Sequence, residues 1–153
     1  MRSLFLALFL IVAGPVSAED VAGPVRVVDG DTVEIGGRRI HLFGIDAPEL
    51  KQTCQWPAKT YPCGEVARTG LMDLLAGAKV VCKTRDEVPE GGWTGTCRAD
   101  GFDVGRNMVH TGWALAIRHL GSGYEATEEK SKQAKRGLWR GTFVTPWDWR
   151  RRN

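Results

Sequence analysis

Several common chemistries find no footing in this 153-residue chain. It has no Cys-x-x-Cys pair, and none of its four cysteines has a histidine beside it, which speaks against zinc. It has no Gly-x-Ser-x-Gly turn to present a serine nucleophile. Gly91-Gly92 is a lone glycine pair in a loop rather than a phosphate cradle, and His110 and His119 have no partner visible in the sequence. Excess charge is small: 21 Lys and Arg against 18 Asp and Glu give a net charge of +3, too little for strong unspecific binding of nucleic acid. Internal repeats and low-complexity segments are absent. Long apolar runs are absent too, except Leu4 to Ala13, which is too short to span a bilayer.

That one run has a different meaning. Arg2 precedes it and Val16-Ser17-Ala18 follows it, so residues 1–18 are predicted to be a secretory signal cleaved before Glu19. The remaining residues, 19–153, are long enough for one hydrophobic core and are expected to form a single domain. The expected product is secreted or periplasmic, monomeric and free of the membrane. Cys54, Cys63, Cys82 and Cys97 form an even set in a small exported chain, the composition of a disulfide framework. Three pairings are open. The favoured one joins Cys54 to Cys63 and Cys82 to Cys97, the latter across neighbouring strands, each loop contributing roughly 3 kcal/mol.

The segments that carry chemistry come early. Val27-Val28-Asp29-Gly30-Asp31-Thr32-Val33-Glu34-Ile35 and Gly44-Ile45-Asp46-Ala47-Pro48-Glu49 set four carboxylates at the edges of β-branched, strand-like runs. Between them Gly36-Gly37 is a two-residue hairpin turn. Folding the two runs side by side lets Asp31 and Asp46 converge. Two carboxylates with a main-chain carbonyl, here that of Ala47, and waters suit Ca²⁺. Glu49, three residues beyond Asp46, is placed to touch a water rather than the metal. Such a set points to metal-assisted phosphodiester chemistry.

Elsewhere the order is strand-rich. Strands are predicted near 25–28, 32–35 and 39–45, and again around Cys82 and Cys97. Val66, Ala67, Leu71, Leu74 and Leu75 recur at helical spacing over 65–76. A second helix should start near Asp103, and a third should run from about Tyr124 to Arg136 and stop at Gly137. Trp113 and Trp139 read as core packing. Trp147, Trp149 and Arg150 to Arg152 read as a frayed basic tail, with a stacking and charge patch for single-stranded nucleic acid as the alternative.

The Asp-Gly-Asp-Thr and Gly-Ile-Asp-Ala-Pro-Glu pair, with Asp100-Gly101, Gly112-Trp113-Ala114 and Ala134-Lys135-Arg136-Gly137-Leu138-Trp139 downstream, resembles the thermonuclease (staphylococcal-nuclease-like) family. The likeness spans about residues 25 to 149. It implies a β-rich α+β protein, a five-stranded OB-fold barrel with about three helices. It also implies Ca²⁺ on Asp31, Asp46 and Ala47, with Glu49 as general base or water-orienting group. Two family arginines that neutralise transition-state charge have no counterpart: His41 stands at one position and Gly92 at the other, while Ile117 stands where many members carry a stacking tyrosine. An arginine in such a role is worth about 10³ to 10⁵ in rate. His41 is then the catalytic candidate for part of that charge, with Arg39, on the same strand face, a partial rescue.

Three readings follow. The first is an exported thermonuclease-like protein of weak or absent phosphodiesterase activity, with an accessory role, by resemblance in exopolysaccharide (succinoglycan) biosynthesis. The second is a working Ca²⁺-dependent nuclease with a rebuilt charge site. The third is an OB module that binds oligosaccharide or oligonucleotide. Single-stranded nucleic acid or polysaccharide is accordingly the expected partner.

Overall fold

A computed structural model describes residues 19–153. The predicted leader at 1–18 lies outside the described residues. The chain begins with two short strands, β1 (Asp20–Ala22) and β2 (Val25–Val27), followed by the hairpin β3 (Thr32–Ile35) and β4 (Arg38–Leu42). Gly36 and Gly37, at φ of 57° and 76°, give the hairpin the two left-handed positions its turn needs. Register then follows: Ile35 pairs with Arg38, and Thr32 with His41. Ile40 and Leu42 point to the core while His41 and Arg39 point away.

The strand expected over 39–45 is broken. Gly44 sits at φ 81°, and after it β5 (Ile45–Asp46) leaves the main sheet. There follow a small hairpin, β6 (Cys54–Trp56) and β7 (Lys59–Tyr61), then α1 (Cys63–Leu75), whose Ala67, Leu71 and Leu75 form a buried stripe at four-residue spacing. β8 (Val80–Glu87) and β9 (Trp93–Ala99) pair antiparallel, and β10 (Phe102–Asp103) adds to β9. β9 also runs parallel to β4, giving a mixed, curled half-barrel in the order β1-β8-β9-β4-β3-β2. Its concave side is filled by Val33, Ile35, Ile40, Leu42, Cys82 and Cys97 against Ala67 and Leu71 of α1. Each fully buried aliphatic side chain contributes roughly 1.5–3 kcal/mol. Both favoured disulfides form, Cys54–Cys63 and Cys82–Cys97, the second between directly paired residues.

α2 (Val104–Thr111) starts where expected, because Asp103 caps it by accepting from the Arg106 amide at 2.8 Å. β11 (Leu115–Ala116) pairs with β5, opposing Leu115 to Asp46. α3 (Glu125–Gln133) stops short of Gly137: Lys135 takes the left-handed conformation (φ 50°), and Gly137 instead opens a short 3₁₀ turn against the carbonyl of Gly112. A fourth helix, α4 (Pro146–Arg152), replaces the expected frayed tail. Thr145 caps it, its hydroxyl accepting from the Asp148 amide, and Pro146 takes the first helical position. Among the described residues the expected five strands and three helices are thus eleven strands, several of two or three residues, and four α-helices. The extra strands are short pairings at sheet edges and around the site. No described helix is long and apolar enough to cross a membrane.

Candidate active site

Asp31, His41, Asp46, Ala47 and Glu49 all line one cleft of about 430 Å³. Hydrogen bonding orients the first of them closely. The Asp31 carboxylate accepts from the Ala47 amide at 2.7 Å and from the Thr32 hydroxyl at 3.0 Å. The Asp31 carbonyl takes the Leu42 amide at 2.8 Å. The Ala47 amide on the Asp31 side chain and the Leu42 amide on the Asp31 carbonyl therefore fasten Asp31 to the chain on either side of Asp46. The Thr32 hydroxyl also meets His41 Nδ1 at 3.1 Å.

Glu49 is held from behind. Gln52, completely buried, accepts the Glu49 amide at 3.2 Å through Oε1 and donates to the Val144 carbonyl at 2.7 Å through Nε2. Gly64 lies so close that a Cβ there would overlap the Glu49 carbonyl. The Cys54–Cys63 disulfide closes the same loop.

The cleft holds a cation that the sequence reading assigned to a basic tail. Arg150 of α4 grips Asp46 with both terminal nitrogens, Nη1 to Oδ1 at 2.9 Å and Nη2 to Oδ2 at 2.7 Å, and Nη1 reaches Glu49 Oε1 at 2.6 Å. The candidate rescuer Arg39 lies elsewhere, as do two other arginines. Arg39 is exposed and pairs across from Glu34, Arg85 lies 3.9 Å from the Phe43 ring centre, and Arg98 donates to the Gly101 carbonyl. Gly92 is not open to an arginine either: it sits at φ 101°, and a Cβ would come within 2.7 Å of the Arg39 carbonyl oxygen. The signal that could have found α4 was the Thr145-Pro146 start with Asp148 three residues after the cap. That Arg150 turns toward Asp46, 104 residues away, had no local signal.

Electrostatics explain why a cation is wanted. Asp29, Asp31, Asp46, Glu49 and Glu90 line the cleft against one guanidinium. Burial, then the neighbouring Asp29 carboxylate, pushes Asp31 well above the usual carboxylate range. Burial also raises Asp46, although Arg150 works against it. The bonds to Asp46 and Glu49 in turn raise Arg150 above its ordinary value, so its charge is permanent. An all-oxygen set carrying this uncompensated charge fits a hard divalent ion. Among the described residues no three acidic, histidine or cysteine side chains close on one point, so the donors toward such an ion would be Asp31 and Asp46 with main-chain oxygen and water.

A curled mixed sheet that gathers these carboxylates in one cleft beside a helical layer defines an α+β protein of nuclease-like build. The chain belongs to the staphylococcal nuclease family: the family described as "Staphylococcal nuclease homologue" matches residues 39–141. It is 34% identical over 139 residues to "Succinoglycan biosynthesis protein ExoI" of Rhizobium meliloti (strain 1021), covering 88% of this chain and 73% of that protein. It is 34% identical over 165 residues to an "Uncharacterized endonuclease" of Escherichia coli O157:H7, covering 99% of both. A "Micrococcal nuclease" of Shigella flexneri is 28% identical over 169 residues, covering 99% of this chain and 92% of that one. α4, with Arg150, falls beyond the matched residues of the family.

Proposed function

We propose that residues 19–153 are a single-domain, exported, Ca²⁺-dependent phosphodiesterase acting on single-stranded nucleic acid, with Arg150 as the cation that His41 and Gly92 do not supply. The leader pattern at 1–18 and the two disulfides support export. One observation carries the catalytic reading: Arg150 lies in the same cleft as Asp31, Asp46 and Glu49. Asp31 and Asp46, with the Ala47 carbonyl, would hold the ion. Bound there, Ca²⁺ supplies Lewis-acid polarisation of a phosphoryl oxygen. Glu49 would orient the attacking water and take its proton. Arg150 spends three N–H groups on Asp46 and Glu49, leaving two of its five for the phosphoryl oxygens, where negative charge grows in the transition state. His41 lines the same cleft.

A second reading, an accessory protein of exopolysaccharide synthesis with weak hydrolysis, is supported by the likeness to the succinoglycan protein and by the loss of both family arginines. Calorimetry and digestion of single-stranded DNA separate the two. Under the main reading Ca²⁺ binds, DNA is cleaved only with Ca²⁺, and Asp31→Ala abolishes both. Ca²⁺ binding without cleavage would favour the accessory reading.

A further inference from the structure

Beside the acidic cleft lies a larger cavity of about 710 Å³, within the range of small-molecule sites. Ile117 borders both spaces. Its walls are unlike those of the cleft. Trp139 and Phe143 stand edge to face, ring centres 5.0 Å apart, and Trp147 of α4 closes one side while remaining 37% exposed. The one carboxylate among its lining residues, Glu128, is buried and already engaged on both oxygens. It accepts from the Ala116 amide at 3.0 Å, from Arg118 at 3.1 Å and from Lys132 at 3.0 Å. Arg118 and Lys132 are thereby fixed at the cavity with a net positive charge, Lys132 lying 4.7 Å from the Trp139 ring centre. Trp147 and Arg150 are three residues apart on α4, so their side chains are neighbours on the helix surface, one toward each space.

We propose that this aromatic cavity is a subsite for the nucleotide next to the scissile phosphate of a single-stranded nucleic acid: the base stacks on Trp147 and the adjoining phosphate meets Arg118. This deepens the catalytic reading and rests on it for the direction of the strand. Charge complementarity selects the occupant. The cleft is acidic and accepts a phosphate only beside a cation, whereas the adjoining cavity offers ring faces and ordered cations without a free carboxylate. Stacking platforms bordered by positive charge are how proteins hold single strands without reading sequence. A neutral sugar chain would use the rings but leave the cations unused.

The test is binding of a fluorescein-labelled eight-nucleotide oligothymidylate in EDTA, which prevents cleavage, followed by anisotropy. Trp147→Ala should weaken binding roughly five- to a hundredfold, the range for one lost base–aromatic stack. Trp147→Phe should retain most of the affinity, which a merely structural role of the indole would not ensure. Arg118→Gln should lower the slope of log K against log salt by about 0.7, one phosphate contact on a single strand. Equal affinities for wild type and a folded Trp147→Ala would overturn the proposal, as would binding of cellohexaose at this site in preference to the oligonucleotide. Trp147-dependent binding without Ca²⁺-dependent cleavage leaves the subsite standing and removes the catalytic reading. Cleavage with Trp147-independent binding does the reverse.

Discussion

Asp31 and Arg150 set the electrostatics of the cleft in opposite senses. Asp31 is part-buried near Asp29 and Asp46, and ionising it costs the folded state. Because its folded value is raised, the stability it contributes is full below the unfolded value near 4 and is lost as pH climbs through the folded value. Asp31→Asn in EDTA should therefore melt higher than wild type at neutral pH and level with it below about pH 4. Its oxygen can keep the Ala47 amide while its NH₂ faces a rotated Thr32 hydroxyl. Adding Ca²⁺ should reverse the order at neutral pH, since only wild type keeps the carboxylate ligand. Thermal melts across pH check both halves.

The elements that matter most for the site are irregular. The loop after β5 carries Glu49, and the segment before α4 carries Arg150 into place; Gln52 joins the two through Glu49 N and Val144 O. Paired main-chain bonds between Gln55 and Thr142, each 2.9 Å, run alongside. Gln52 and the Gln55–Thr142 pair thus tie the loop to the segment that leads into α4, while Cys54–Cys63 closes the hairpin between them. Gln52→Leu would leave two main-chain groups without partners in a buried setting, at roughly 1–3 kcal/mol each. Denaturant unfolding should show a loss of about 2–6 kcal/mol. Turnover at a temperature where the variant is fully folded should also fall, because Glu49 and Arg150 lose their common anchor.

Over the whole molecule, charge is divided between an acidic cleft and a positive aromatic cavity, with α4 at their border. How much of this was legible varies with the range of the interaction. The hairpin was legible because Gly36-Gly37 is a local turn signal, and the Asp103 cap because capping spans three residues. The gathering of Asp31, Asp46 and Glu49 followed from the hairpin and the family motif. The breaks at Gly44 and Lys135 were not legible: a lysine in the left-handed region carries no compositional mark, and the contact of Gly137 with Gly112 overrides the reading of Gly137 as a helix stop. Arg150 was hidden most completely, since the guanidinium finds Asp46 only after the chain has closed around the half-barrel. The most direct measurement is kcat for Ca²⁺-dependent cleavage of single-stranded DNA by wild type, Arg150→Ala, and Arg150→Ala combined with His41→Arg. The single variant should lose about 10³ or more in kcat with little change in KM. The double variant should recover in part, as a guanidinium returns from the β4 side. An Arg150→Ala protein that binds Ca²⁺ and cleaves as fast as wild type would contradict this role of Arg150.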